Sequence, residues 1–365
     1  MSYRFLIVED NAVMIDTLTE ALEASFDGCE VTATGFAQAP AKLKSTRPDA
    51  VILDLAEGVD DVAASEPAWN FVWNQNFCPI VIHSAFEDGV YNQQNHPFRR
   101  YEKKGRGSED KVVGHLKAFT EQIEGVRKLR EEIDLRIATS LREVSPLVWQ
   151  ESAGAERSDM LRRVTRRRIA ASLDSASDDA NMKAVEQFIY PPLEPTLLTG
   201  DVLRLRLGAS DAVSSYRVVL TPSCDLVAGG NRAPVDEVLV ARCVSVRDPE
   251  ILRRNNLPAG ALAQKIGKTL CGDGHTDMVV IPKLHGAWPT MVLDLKRLEL
   301  MERAKVGLAD VAGVADEFVR VASMDSPFRE RVAWRFVATC GRPGLPDFDR
   351  ACLEQDITAA ATPVG

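Results

Sequence analysis

Ala50-Val51-Ile52-Leu53-Asp54-Leu55, "AVILDL", sets a carboxylate at the end of a run of core-grade residues. An unpaired carboxylate costs several kcal/mol to bury, so Asp54 either surfaces where a strand ends or meets a cation there. The two options differ in what else must arrive at the same place.

Strand and helix signals alternate on both sides of this stretch. "RFLIVED" is a short apolar run ending in two acids, and "AVMIDTLTEALEAS" carries apolar residues three and four apart, as an amphipathic helix does. "CEVTATG" reads as a second strand, "APAKLKSTR" as a second helix and "PDAVILDL" as a third, fully buried strand. "FCPIVIHSA" and "FRRYEKKG" supply two more strands, and "SEDKVVGHLKAFTEQI" closes the series with a helix for which Ser108 is a candidate N-cap. Apolar strands separated by helices indicate a parallel sheet covered on both faces.

In an open parallel sheet, ligands sit beyond the carboxyl ends of the strands. Here those ends carry Glu9 and Asp10, then Asp54, then Ser84, then Lys103 or Lys104. Three carboxylates at one rim repel, and a hard divalent cation relieves them; Mg²⁺ takes oxygen ligands and keeps waters that a phosphate can replace. A carboxylate so neutralised can attack phosphorus and form an acyl phosphate, while a lysine and a hydroxyl hold the phosphoryl oxygens.

"FLIVEDN", "AVILDL", "PIVIHSA" and "YEKKG", in that order and at those separations, resemble the receiver domain of two-component response regulators across residues 1–120, within a domain expected to span 1–125. The resemblance implies a doubly wound (βα)5 fold of the α/β class. It implies Asp54 as phosphoacceptor, Glu9 and Asp10 as the acidic pair for Mg²⁺, the Ala56 carbonyl as a further ligand, and Ser84 as the switch hydroxyl. The lysine stays open: Tyr101 as switch aromatic selects Lys104, whereas Tyr101 as a buried strand residue selects Lys103. A sensor histidine kinase or a phosphotransfer protein is the implied donor. Two departures stand out, since the family usually places Pro after its lysine and an "MPxxxG" turn after its aspartate. Here Lys104-Gly105 and "LAEGVDDVAASEPAWNFVW" occupy those places, so the following loop is remodelled, with Trp69 and Trp73 expected at the surface. The usual switch and dimer surface is thereby put in question.

The whole chain, at 365 residues, is long for one core and suggests two or three domains at roughly 100 to 200 residues each. A net charge of -9 argues against nucleic acid as a partner for the chain as a whole. Seven scattered cysteines match neither a disulfide framework nor a zinc knuckle and fit a reducing cytoplasm. No leader signal follows Met1 and no apolar run reaches the length of a membrane span, so no membrane attachment is expected.

Leu116 to about Val144 reads as one long charged helix, and residues 126–185 as a helical linker through which a homodimer could form. The run Arg162-Arg163-Val164-Thr165-Arg166-Arg167-Arg168 reads more simply as a solvated helix face than as a phosphate-binding patch. Leu161, Val164, Ile169 and Leu173 are spaced to bury its other side. A boundary falls near 178 to 183. From there to 365 the texture changes to β-branched runs bounded by turn residues, which indicates an α+β output domain with a small antiparallel sheet or barrel across 197–300 and a final helix stopped at Gly341.

"VVLTPSCDLV" places Pro222 at an edge or bulge and Cys224-Asp225 at a turn. As a nucleophile Cys224 needs a base, for which His275 or His285 is available; Cys224, Cys271, His275 and His285 are equally a candidate zinc set. Structural roles are the simpler reading for all of them. "TGDVLRL" to "YRVVLTPSCDL" is faintly similar to the small barrels of PemK-like ribonuclease toxins. The expectation is therefore a response regulator of a phosphorelay. Its alternatives are a receiver-gated effector enzyme with a nuclease-like barrel, and a phosphate sink or adaptor in a multi-receiver, antiphage-type relay.

Overall fold

The computed structural model describes residues 2–56, 62–87, 91, 95–174, 182–193, 195–228, 233–272, 277–284, 286–309 and 315–341, with isolated positions beyond. The chain divides into two compact units, Met1–Ser177 and Asp178–Gly365.

In the first unit β1 (Arg4–Val8), β2 (Glu30–Thr34), β3 (Ala50–Leu53), β4 (Ile80–Ser84) and β5 (Arg99–Lys103) form a parallel sheet in the order β2-β1-β3-β4-β5. Side chains alternate across its plane. Leu6, Val8, Val51, Leu53, Ile80 and Ile82 meet α2 (Ala39–Thr46) and α3 (Glu66–Asn74), burying Leu43, Trp69 and Val72. Phe5, Ile7, Ala50, Ile52 and Val81 meet α1 (Ala12–Ser25) and α4 (Ser108–Ala118), burying Leu18, Leu22 and Leu116. Both faces are covered, which is why "AVIL" is apolar without alternation. This is the doubly wound α/β order anticipated from the strand–helix alternation.

Between β4 and β5 the described residues contain no helix. Aromatic packing joins this connection to α3: Tyr91 stacks on Trp69 with ring centroids 4.6 Å apart, and Trp69 on Trp73 at 4.7 Å. Trp69, expected at the surface, is only 6% exposed. One helical turn separates it from Trp73, so both rings project from the same side of α3 toward that connection.

The helix expected from Leu116 is two. Phe119, fully buried in the α1/α4 core, donates its N–H to Leu116 O and ends α4; α5 (Thr120–Glu151) then runs for 32 residues with Pro146 inside it. Arg127 bonds the buried Asp49, and Arg130 donates to Phe77 O at 2.9 Å, fastening the start of α5 to the sheet. α6 (Gly154–Asp174) folds back on α5, with Thr165 buried and Arg168 paired to Glu143. The Arg157 guanidinium closes the end of α5, donating to Ser152 O at 2.8 Å and lying over the Trp149 ring. Leu161, Val164 and Ile169 are half-buried, while Leu173 is exposed.

The second unit is built on an eight-stranded sheet of β6 (Phe188–Ile189), β7 (Asp201–Leu205), β8 (Tyr216–Val219), β9 (Glu237–Val244), β10 (Met278–Ile281), β11 (Met291–Glu302), β12 (Val306–Gly307) and β13 (Phe318–Met324). Its order is β10-β11-β9-β8-β7-β13-β12, with β6 added to β13. All pairs are antiparallel except β12 with β13. The sheet reaches past the expected limit of 300 because β13 inserts beside β7. Among the described elements the α-helices that accompany it are α7 (Ser223–Leu226), α8 (Pro249–Arg254), α9 (Ala263–Leu270) and α10 (Phe328–Cys340), the last of these capped by Gly341 as anticipated. No described helix is long and apolar enough to cross a membrane.

Candidate functional site

The sheet register brings the anticipated residues to one rim. Val8 pairs with Leu53, Leu53 with Ile82, and Ser84 with Lys103, so Glu9, Asp54, Ser84 and Lys104 all emerge at the carboxyl edge. Glu9, Asp10 and Asp54 each place a carboxylate oxygen within 4.8 Å of the others. It is the only such cluster of His, Cys, Asp or Glu among the described residues.

Asp54 sits at the mouth of its strand, 6% exposed, with both oxygens engaged. Oδ1 accepts the Leu55 N–H at 2.7 Å and Oδ2 accepts from Lys104 Nζ at 2.7 Å. The same ammonium lies 2.6 Å from Glu9 Oε2. Lys104 therefore cross-links two carboxylates, whereas Lys103 is exposed. Adjacent strand residues point to opposite faces, so only one of a Lys-Lys pair can enter the cleft.

Electrostatics follow from this crowding. Burial pushes the Glu9 carboxyl above its usual value, and the Asp54 charge adds to it against the opposing Lys104 bond. For Lys104 burial works against the charge, yet the bonds from Asp54 and Glu9 outweigh it and hold the ammonium above its ordinary value. Ser84 is fully buried; its Oγ accepts the Phe86 N–H at 3.3 Å and its carbonyl accepts from Lys104 N. The Tyr101 hydroxyl donates to Phe86 O.

The donor set suits Mg²⁺: the carboxylates of Glu9, Asp10 and Asp54 are hard oxygen ligands, and a cation would relieve their mutual repulsion.

Two neighbours escaped the sequence reading. Ser108 is not an N-cap: it is the first residue of α4, preceded by Gly107 in a left-handed conformation (φ 73°), and its buried hydroxyl meets His83 Nε2 at 2.8 Å. Burial, with the Lys104 charge adding, pushes His83 down to about 4. The folded chain then binds fewer protons than the unfolded one between the ordinary value of 6.5 and about 4, so stability is lost as pH falls through that window. At 1.36 kcal/mol per pH unit the loss reaches about 3 kcal/mol. Urea unfolding of the His83→Gln chain lacks this increment over the same pH range, and equal pH slopes in the two chains would refute it.

In the second unit the described candidates, Cys224, Asp225 and Cys271, belong to no cluster of three or more His, Cys, Asp or Glu residues among the described residues. Pro222 makes no bulge; it precedes the four-residue α7, on which exposed Cys224 has its Sγ 3.6 Å from Asp225 Oδ1. Cys271 is exposed beyond α9. His275 and His285 lie outside the described residues. Asp201 of the Gly-Asp pair is fully buried and structural. Its Oδ1 accepts from Ser323 Oγ at 2.5 Å and its Oδ2 from Leu198 N at 2.8 Å, with Arg320 at 3.5 Å. Gly200 before it holds φ 85°, where a Cβ would meet Arg329 Cγ at 3.1 Å.

The sequence matches no protein-family model and no curated protein. Among solved structures, the N-terminal third is similar to response-regulator receiver domains. One is in the crystal structure of histidine kinase ThkA in complex with response regulator protein TrrA, with 21% identity, 32% of this chain, 98% of that chain and TM-score 0.27. A second is the phosphorylated cyanobacterial phytochrome response regulator RcpA, with 22% identity, 33% and 94% coverage and TM-score 0.27. A third is a chemotaxis response regulator of Vibrio cholerae, with 18% identity, 32% and 98% coverage and TM-score 0.26.

Proposed function

We propose that the chain is a response regulator in which Asp54 accepts a phosphoryl group from a sensor histidine kinase or phosphotransfer protein. The observation that carries this reading is the Lys104 ammonium bonded at once to Asp54 and Glu9, with Asp10 in the same cluster. An Asp54 oxygen attacks phosphorus; the P–N bond to the donor imidazole breaks, its electrons leave with the imidazole, and an acyl phosphate remains on Asp54. Lys104 sets positive charge against the phosphoryl oxygens and Ser84 supplies a hydroxyl beside them. Tyr101, three residues before Lys104, is the switch aromatic of this arrangement. Mg²⁺ held by Glu9, Asp10, Asp54 and the Ala56 carbonyl would neutralise charge on the transferred group. Phosphorylation in turn modulates the C-terminal unit.

The test uses the full chain with Mg²⁺ and acetyl phosphate. One phosphoryl group, labile to hydroxylamine, is expected in the wild type and none in Asp54→Asn. Equal uptake by the two chains, or none by the wild type, overturns the proposal.

A further inference from the structure

The connection from β4 to β5 is tied to the Asp54 site at two points. At its near end Phe86 donates its N–H to Ser84 Oγ and accepts the Tyr101 hydroxyl on its carbonyl. Farther along, the Tyr91 hydroxyl lies 2.6 Å from Ser65 Oγ, and Ser65 Oγ donates to Leu55 O at 2.7 Å. A hydroxyl has one proton, and that of Ser65 goes to the Leu55 carbonyl, so Tyr91 is the donor in the other bond. The Leu55 carbonyl belongs to the residue next to Asp54. The Tyr91 ring in turn lies parallel to Trp69, within 3°, and Trp69 parallel to Trp73, within 11°. Trp73 ends edge-on to His96 at 4.8 Å and to Phe77 at 5.3 Å.

We propose that the state of Asp54 is read out through this Ser65–Tyr91–Trp69–Trp73 relay, a device that rests on the phosphoacceptor reading above. When phosphoryl oxygens arrive at Asp54 the Ser84 hydroxyl can turn its proton toward them, and any shift of its Oγ alters the long Phe86 N–H bond at the start of the connection. At the other end, any shift of the Leu55–Ala56 peptide as the cleft takes up a cation moves the Ser65 bond. That displacement reaches Tyr91 through the Ser65 hydroxyl. Its ring sits flat on an indole, where sliding costs little and changes the indole's surroundings much. A packed element held by a few short bonds has discrete arrangements rather than a continuum of them, which is the property a switch requires.

Intrinsic tryptophan emission of the full chain tests the relay, with Mg²⁺ and beryllofluoride as the probe and ¹⁹F NMR reporting bound fluoride separately. Emission is expected to change on binding. The change is expected to persist in Trp149→Phe and Trp334→Phe, to vanish in Trp69→Phe, and to fall by more than half in Tyr91→Leu. Tyr91→Phe keeps the ring and removes the hydroxyl, so it retains the resting stack and loses the coupled change. Bound fluoride with unchanged wild-type emission, or with the full change in both Tyr91 variants, overturns the relay and leaves the acceptor site standing. Absence of bound fluoride overturns the acceptor site and the relay together.

Discussion

Lys104→Met is expected to slow phosphoryl uptake from acetyl phosphate by about 100-fold or more, the usual loss when a preorganised positive donor is removed from a developing anion. Lys103→Met is expected to leave uptake unchanged, since its side chain is exposed while Lys104 makes the ion pairs to Asp54 and Glu9. The same Lys104 variant carries a second, opposite signature. In the resting chain the ammonium lies between Glu9 and Asp54, at 2.6 and 2.7 Å, where it competes for the carboxylates a cation would use. Removing it concentrates negative charge in the cleft, so Mg²⁺ should bind more tightly even as transfer slows. Calorimetric titration with Mg²⁺ alone, set beside the rate, separates the two effects. A variant that lost both affinity and rate would point to collapse of the cleft, and one that lost neither would remove Lys104 from the site.

Much of this cleft was legible because a parallel sheet converts sequence order into spatial convergence. A residue just after an apolar run in "RFLIVED", "AVILDL" or "PIVIHSA" must arrive at the carboxyl edge, whatever the helices do. What the run could not reveal was the choice between Lys103 and Lys104, because alternation lets one of two adjacent lysines enter the cleft without saying which; the Lys104 ammonium, 2.6 Å from Glu9 and 2.7 Å from Asp54, fixes it. Trp69 and Trp73 were misjudged for a related reason. Exposure was inferred from a loop with no recognisable turn, while burial came from Tyr91, a residue distant in sequence whose ring has no periodic signal around it. Ser108 looked like a cap by residue type, and its actual partner, His83, lies on β4, distant in sequence. In the second unit strand positions were readable from β-branched runs. Their order was not, since β13 pairs with β7 across more than a hundred residues.

The largest stability effect is expected in that second unit, at Arg254. Its guanidinium, 9% exposed, reaches from α8 to the sheet, where Nη1 lies 3.0 Å from Asp277 on the strand side and Nη2 meets the fully buried Asp294 of β11. Burial alone would lower the Arg254 pKa, yet the paired carboxylates hold it above its ordinary value, so the charge is kept by its partners. Asp294 has further donors in Arg297 Nε at 3.2 Å and Lys296 N at 3.1 Å, but Arg297 is itself 38% exposed. Arg254→Met preserves the aliphatic stem and strips one cation from two acids, one of them without solvent contact. Removing one member of a buried pair costs about 3–5 kcal/mol, because the remaining ion can neither hydrate nor discharge cheaply. In a chain of two compact units the loss should be confined to one of them: the urea transition that reports the second unit moves to lower denaturant, while beryllofluoride binding at Asp54 is untouched. The double variant Arg254→Met, Asp294→Leu should recover part of the loss, since an apolar pair of similar volume carries no desolvation penalty. If the single variant unfolds at the wild-type midpoint, or the double variant is worse than the single, the guanidinium is held by packing and not by its carboxylates.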